Sequence, residues 1–131
     1  MLLSFTGFSQ GMRHKLYLNG MMKETIASQH VYTLELIAVD TDTFEGVIKD
    51  KNNIIKAKGG YIRENKQFLQ HGYFQFYYPD GETESEGNYD RGVKVGSWLR
   101  FTEDGTQKPD RYYDPKSAEL VRSAMNGQLS Q

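Results

Sequence analysis

The 131-residue sequence lacks three features that would indicate particular classes of protein. It has no cysteine, which excludes disulfide bonds and thiolate metal sites. Its 16 Lys and Arg residues are balanced by 17 Asp and Glu residues, so no overall basic field indicates a nucleic-acid partner. No apolar run approaches the ~20 residues of a transmembrane segment.

The sequence is instead rich in aromatic residues and glycine. Nine Tyr, seven Phe and one Trp accompany 13 Gly, whereas apolar residues in total make up only 37%. Aromatic side chains favour pleated, half-exposed surfaces, and glycines favour tight turns. The composition therefore predicts a mainly β protein, and the length predicts a single domain, assigned to residues 11–131.

The first ten residues, MLLSFTGFSQ, are uncharged and largely apolar. They are similar to the end of a secretory signal peptide, although the basic start of such a peptide is missing. Residues 1–10 are therefore interpreted as a signal-peptide remnant, which predicts a secreted or periplasmic protein. A short N-terminal strand is the alternative, and an uncleaved start predicts a cytoplasmic protein.

The strongest pattern is an internal repeat with a spacing of 24 residues, as from Gly72 to Gly96 (96 - 72 = 24). Periods in the twenties indicate stacked supersecondary units. The two clearest copies cover 72–92 and 96–114. A fainter copy lies upstream, with Asn53 in the place of Gly81, and Asn19-Gly20 indicates a fourth. The two clearest copies share the pairs Gly72/Gly96, Phe74/Trp98, Asp80/Asp104, Gly81/Gly105, Tyr89/Tyr113 and Asp90/Asp114.

Each copy has the composition of a β-hairpin. Pro79 fixes φ at the first turn position, Asp80 caps the turn, and Gly81 supplies the positive φ that closes a type I turn with a bulge. Segment 63–70 is longer than its counterpart in the next copy and is predicted to form a protruding loop. The predicted structural turn residues are Gly20, Asn53, Asp80, Gly81, Asp104 and Gly105.

The end of the chain has the pattern of a helix over 115–126. Asp114 can cap its start, and Pro115 suits its first turn. Apolar residues then recur on one side of the predicted helix. We expect this helix to cover the exposed edge of the last hairpin.

The motif Gly72-x-Phe74-x-x-Tyr77-Tyr78-x-Asp80-Gly81, followed by its copy at 96–105, resembles the bacterial variant of the MORN (membrane occupation and recognition nexus) repeat. The resemblance implies an open antiparallel meander of β-hairpin repeats with a short C-terminal α-helix beyond it. It also implies an interaction module rather than an enzyme. Bacterial members of the family are often carried on envelope or secreted proteins.

The residue types that catalyse reactions or bind metals form no recognisable motif. His14, His30 and His71 have no partner at the i+2 or i+4 spacing of metal ligands. The alternating glutamates of 82–86 are interpreted as solvated charges on one strand face. The sequence therefore predicts no catalytic residue, no cofactor and no metal.

The aromatic residues provide the main indication of function. Tyr73, Tyr77, Trp98 and Phe101 are the candidate partner-binding residues, and the alternative is that these rings pack between neighbouring repeats. Phe74 and Tyr77 have opposite parity, which implies either a bulge or burial on both faces.

The leading hypothesis is a non-enzymatic protein-interaction module of the cell envelope or secreted space, with another protein as its partner. One alternative is a glycan-binding or cell-wall-binding protein that uses exposed aromatic side chains. The other is a cytoplasmic antitoxin-like protein.

Overall fold

The computed structural model describes the backbone of residues 11–129 and the side chains of residues 11–125. The predicted signal-peptide remnant, 1–10, lies outside the described residues. The predicted mainly β fold is confirmed: within residues 11–129, nine antiparallel strands form one open sheet in the order β2-β1-β3-β4-β5-β6-β7-β8-β9. The strands are β1 Arg13–Leu18, β2 Glu24–Thr25, β3 Tyr32–Ala38, β4 Thr43–Asp50, β5 Ile55–Glu64, β6 Gln67–Tyr77, β7 Thr83–Asp90, β8 Val93–Phe101 and β9 Gln107–Tyr113.

Three hairpin turns share one backbone pattern. In the β6–β7 turn, Gly81 N–H donates to Tyr78 O, and Tyr78 N–H donates to Glu82 O. The same pair of bonds recurs at the equivalent positions of the β8–β9 turn and of the β4–β5 turn. The closing residues all have positive φ: 67° at Asn53, 92° at Gly81 and 90° at Gly105. This is a type I turn followed by a bulge, as the repeat predicts.

The first turn of the sheet, between β1 and β2, differs from the prediction at Gly20. Asn19 and Met22 make the bonds that Tyr78 and Gly81 make in the later copy, and the positive φ of 61° falls on Met22. The side chain of Asn19 accepts the N–H groups of Met21 and Lys23, which fixes the turn from its first residue. Gly20 lies inside this turn but does not close it.

Two glycines at equivalent positions of the two clearest copies turn their strands by means of bulges. Gly72 in β6 has φ of 88°, and Gly96 in β8 has φ of 74°. At each glycine the strand has two more residues than the preceding strand with which it pairs. The bulges set the direction of the side chains that follow, so Phe74 and Trp98 both enter the core.

Segment 63–70 does not form the predicted loop. Strand β5 continues to Glu64, β6 begins at Gln67, and these two residues pair directly. The intervening turn consists of Asn65 and Lys66, with φ of 52° and 65°. Two successive residues with positive φ are typical of a tight type I′ hairpin, which keeps both strands in the sheet.

The core lies on one face of the sheet, here called the inner face, and the opposite face is the outer face. Glycines on the inner face make room for aromatic rings from the next strand: Gly46 lies under Tyr61 and Gly59 under Phe74. The buried cluster consists of Leu18, Leu34, Leu36, Ala38, Phe44, Ile48, Ala57, Tyr61, Phe74, Tyr89 and Trp98.

The sheet curls strongly around its inner face. The ring centroids of His14 on β1 and Phe68 on β6 are 5.4 Å apart. These strands are separated by four inter-strand steps, or about 19 Å along a flat sheet. The curl therefore brings the two ends of the sheet towards each other.

The C-terminal helix is confirmed, but it does not cover the last edge of the sheet. A 3₁₀ turn, Pro115–Ser117, leads into helix α1, Ala118–Leu129, and the Asp114 side chain caps the 3₁₀ turn by accepting the N–H of Lys116. Helix α1 packs on the inner face beside β8, whereas the side chains of β9 are exposed up to Tyr112. Within residues 11–129, no helix has the length and apolar character that crossing a bilayer requires.

Candidate binding groove

The structure separates the four candidate partner-binding residues. Tyr73 and Tyr77 lie on the outer face, where their hydroxyls bond to polar neighbours, and the regular alternation of β8 places Phe101 on the same face. Trp98 has to be removed from this set. It is only 1% exposed, because the bulge at Gly96 turns it inward and Gly87 leaves space for its indole ring.

The outer-face tyrosines belong to a hydrogen-bonded network. Tyr73 donates to the carboxylate of Glu86, which also accepts a 2.9 Å bond from Gln75 Nε2. Tyr77 donates to Gln75 Oε1 at 2.9 Å. Desolvation, together with the hydrogen bond to Glu86 and its negative charge, raises the pKa of Tyr73 to about 12. Hydrogen bonds therefore fix the hydroxyl ends of both rings on the outer face.

A cavity of about 670 Å³ on the inner face forms a mainly apolar groove, hereafter the inner groove. One wall is the β1–β2 turn, the other is the start of helix α1, and the ends of strands β6 to β9 supply the floor. Its lining residues are Gly20, Met21, Met22, Lys23, Gln70, Phe76, Tyr89, Gly92, Val93, Lys94, Tyr113, Asp114, Ser117, Ala118, Val121 and Met125.

Hydrogen bonds and ion pairs fix the helical wall of the inner groove to the β7–β8 turn. Arg122 Nη2 donates to Asp90 O at 2.7 Å and lies 3.5 Å from the Asp90 carboxylate. Glu119 pairs with both Arg91, at 2.7 Å, and Arg122. Ala118 is buried beneath the first turn of the helix. These contacts hold α1 across the inner face instead of along the edge of the sheet.

Both walls of the inner groove present flexible, exposed apolar side chains. Met21 is 79% exposed on one wall, and Val121 is 43% exposed on the other. Met22 and Met125 lie deeper between them. Methionine side chains are unbranched and adapt to irregular apolar surfaces. The groove is open to solvent along its rim.

Lys94 lies at the floor of the inner groove among aromatic rings. Its Nζ is 4.6 Å from the ring centroid of Trp98, 5.7 Å from that of Tyr113 and 5.8 Å from that of Phe76. Among the residues whose side chains are described, no carboxylate lies within 4.0 Å of Lys94 Nζ. The ring faces attract this cation but leave its charge uncompensated.

A smaller cavity of about 270 Å³ continues from the inner groove under Met22, Val93 and Met125. Charged side chains of both signs line it, including Glu64 and Arg122. Among the described residues, no three His, Asp or Glu side chains cluster as they would around a metal ion.

The residues of the inner groove were not identified from the sequence. Its walls come from segments 20–23 and 117–125, which lie at opposite ends of the chain and meet only because the sheet curls. In the sequence, the apolar stripe of the C-terminal helix is the one signal for the helical wall of the groove. Tyr113 stands out there only as the repeat equivalent of Tyr89. Lys94 belongs to no motif.

The chain matches no protein-family model, no curated protein and no solved structure.

Proposed function

We propose that the chain is a non-enzymatic interaction module of MORN-like hairpin repeats, which binds an amphipathic helical segment of another protein in its inner groove. The observation that carries this proposal is the groove itself, an apolar trough of about 670 Å³ with adaptable methionines on both walls. Grooves of this kind receive the apolar face of a helix through anchors spaced at i, i+3 or i+4, and i+7.

The open rim favours a helix over a lipid chain. With Met21 79% exposed and Val121 43% exposed, a bound acyl chain would remain partly in water along its length. An amphipathic helix instead turns its polar face to the solvent and its apolar face to the floor. Small apolar ligands are usually enclosed over most of their surface.

The glycan alternative loses Trp98 as a stacking ring and keeps only exposed tyrosines such as Tyr73 for that role. An indole that is 1% exposed cannot stack on a sugar. The outer-face pair Tyr73 and Tyr77 remains as a second surface for a protein partner, and the experiment below distinguishes it from the inner groove. We keep a location in the envelope or secreted space as part of the proposal. If residues 1–10 are not the end of a signal peptide, we expect a cytoplasmic location instead.

The test is site-specific photo-crosslinking in the organism that encodes the chain. A photoreactive amino acid replaces Met21 in the groove or Tyr73 on the outer face, and cross-linked peptides are mapped by mass spectrometry. We expect Met21 to capture an amphipathic helical segment of one reproducible protein, and Val121→Asp to abolish the capture. Equal capture at both positions, capture only at Tyr73, or insensitivity to Val121→Asp would contradict the groove as the binding site.

A further inference from the structure

We infer that the inner groove selects a partner segment carrying a carboxylate, and that the ammonium group of Lys94 receives it. This inference rests on the proposed function and specifies the chemistry of the partner. Its basis is the position of Lys94 at the floor of a mainly apolar groove.

The surroundings of Lys94 make it a receptor for an anion. Its Nζ lies over three rings, those of Phe76, Trp98 and Tyr113, which orient the ammonium group without neutralising it. A helix seated in the groove would exclude water from this position and so strengthen any charge interaction there. A carboxylate would then form a charge-assisted hydrogen bond, whereas a neutral or cationic side chain would leave the ammonium group desolvated without a partner.

The remaining charges of the inner groove favour the same sign of ligand. Lys23 projects from the opposite wall, and none of the described carboxylates lies within 4.0 Å of its Nζ. Among the described residues, Asp114 is the one acidic residue that lines the groove, and its carboxylate accepts the N–H of Lys116. The described charged residues that line the groove are therefore two lysines and one aspartate, which leaves one net positive charge.

The flanking surfaces predict the sequence pattern of the segment. Apolar walls lie on both sides of Lys94, formed by Met21 and Met22 on one side and by Val121 and Met125 on the other. On a helix, side chains three or four positions apart lie on one face. The expected motif is an Asp or Glu with large apolar residues three or four positions before and after it.

The test uses a displayed library of random dodecapeptides as the probe. Selections are run on the wild-type protein, on Lys94→Gln, on Lys58→Gln and on Val121→Asp. Lys58 is an exposed lysine of the outer face, so it controls for non-specific attraction to positive charge. Thermal unfolding and circular dichroism verify that each variant is folded.

We expect the wild-type and Lys58→Gln selections to enrich the acidic motif with its apolar flanks. Lys94→Gln should retain the apolar enrichment and lose the acidic position. A consensus peptide should bind the wild-type protein about tenfold more tightly than its Glu→Gln analogue, and this preference should disappear with Lys94→Gln.

The outcomes separate this inference from the proposed function. Apolar enrichment that Val121→Asp abolishes, without an acidic position, would overturn the role of Lys94 and leave the groove as a protein-binding site. No enrichment that depends on Val121 would overturn both. A parallel titration with dodecanoate, followed by the fluorescence of Trp98, covers the lipid case. If dodecanoate binds with the same sensitivity to Lys94→Gln and Val121→Asp while no peptide is enriched, the ligand is an acyl chain and both proposals are wrong.

Discussion

Gly87 lies directly under the indole ring of Trp98, on the strand next to it. A Cβ atom at position 87 would come closer than 3.0 Å to three atoms of that ring. The same relationship joins Gly46 to Tyr61 and Gly59 to Phe74, so glycines and aromatic rings alternate across the core. The packing of the inner face depends on these missing side chains.

Gly87→Ala should lower the free energy of unfolding by about 2 kcal/mol, because the added methyl group overpacks a buried ring. The measurement is urea denaturation. Gly20→Ala is the matched control, since its new Cβ would have Val31 no nearer than 4.0 Å and its φ is not in the left-handed region. We expect a change of less than about 0.5 kcal/mol for this control. Equal effects of the two substitutions would contradict the proposed packing.

Substitutions at equivalent positions of two hairpin turns should have different effects on stability. Gly105→Ala should destabilise the protein by about 1 kcal/mol, because φ is 90° there and an alanine is strained in that conformation. Asn53→Gly, at the equivalent position of the β4–β5 turn, should leave stability unchanged or raise it by a few tenths of a kcal/mol. Thermal and urea unfolding of both variants test this. A loss on Asn53→Gly as large as that on Gly105→Ala would contradict the equivalence of the turns.

Tyr73 should make stability fall at alkaline pH. Its pKa is raised from 10.0 to about 12 in the folded protein, so the folded state keeps a proton that the unfolded state releases. This contribution is complete below pH 10 and is lost as the pH rises towards 12. Tyr73→Phe should therefore weaken the decline in unfolding free energy between pH 10 and pH 12.

Glu86→Gln isolates the carboxylate's part in this effect. It should lower the pKa of Tyr73, although desolvation, the largest cause of the shift, remains. Phenolate absorbance during an alkaline titration measures the change. Glu45→Gln, another outer-face carboxylate, should leave the Tyr73 titration as in the wild-type protein. An unchanged titration with Glu86→Gln would rule out the Tyr73–Glu86 bond as a cause.

Arg122→Met should loosen helix α1 from the sheet. The substitution removes the 2.7 Å bond to Asp90 O and both ion pairs of Arg122 while keeping an apolar stem. We expect a loss of about 1–2 kcal/mol in unfolding free energy and faster amide hydrogen exchange over 118–125. Lys116→Met, whose side chain is exposed beside the same helix, is the control. Unchanged exchange in Arg122→Met would show that apolar contacts alone hold the helix.

The sequence predicts features that depend on neighbouring residues better than contacts between segments far apart in the chain. The internal repeat locates three hairpin turns, because each turn is fixed by a few residues such as Asp80 and Gly81. The β5–β6 turn could not be predicted from the sequence, because its residue Lys66 has positive φ, which lysine seldom adopts. The closing position of the first turn could not be predicted either, because methionine at position 22 also seldom adopts positive φ.

The face on which an aromatic side chain lies was harder to predict. Phe74 and Tyr77, which have opposite parity, lie on opposite faces of the sheet. Phe74 is in the core, and Tyr77 bonds to Gln75 on the outer face. The direction of Trp98 depends on the bulge at Gly96, which simple alternation does not include. The inner groove was beyond sequence reasoning because the curl of nine strands brings its walls together.

The walls of the inner groove stand at the two ends of one continuous row of hairpins. Each repeat unit contributes two strands, or about 10 Å across the row. Duplicating a unit such as 72–95 would insert two strands between helix α1 and the β1–β2 turn and lengthen the arc of the curled sheet, and deleting one would shorten it. The number of repeat units therefore sets the span of the inner groove, whereas the side chains of its two walls come from outside the repeated unit.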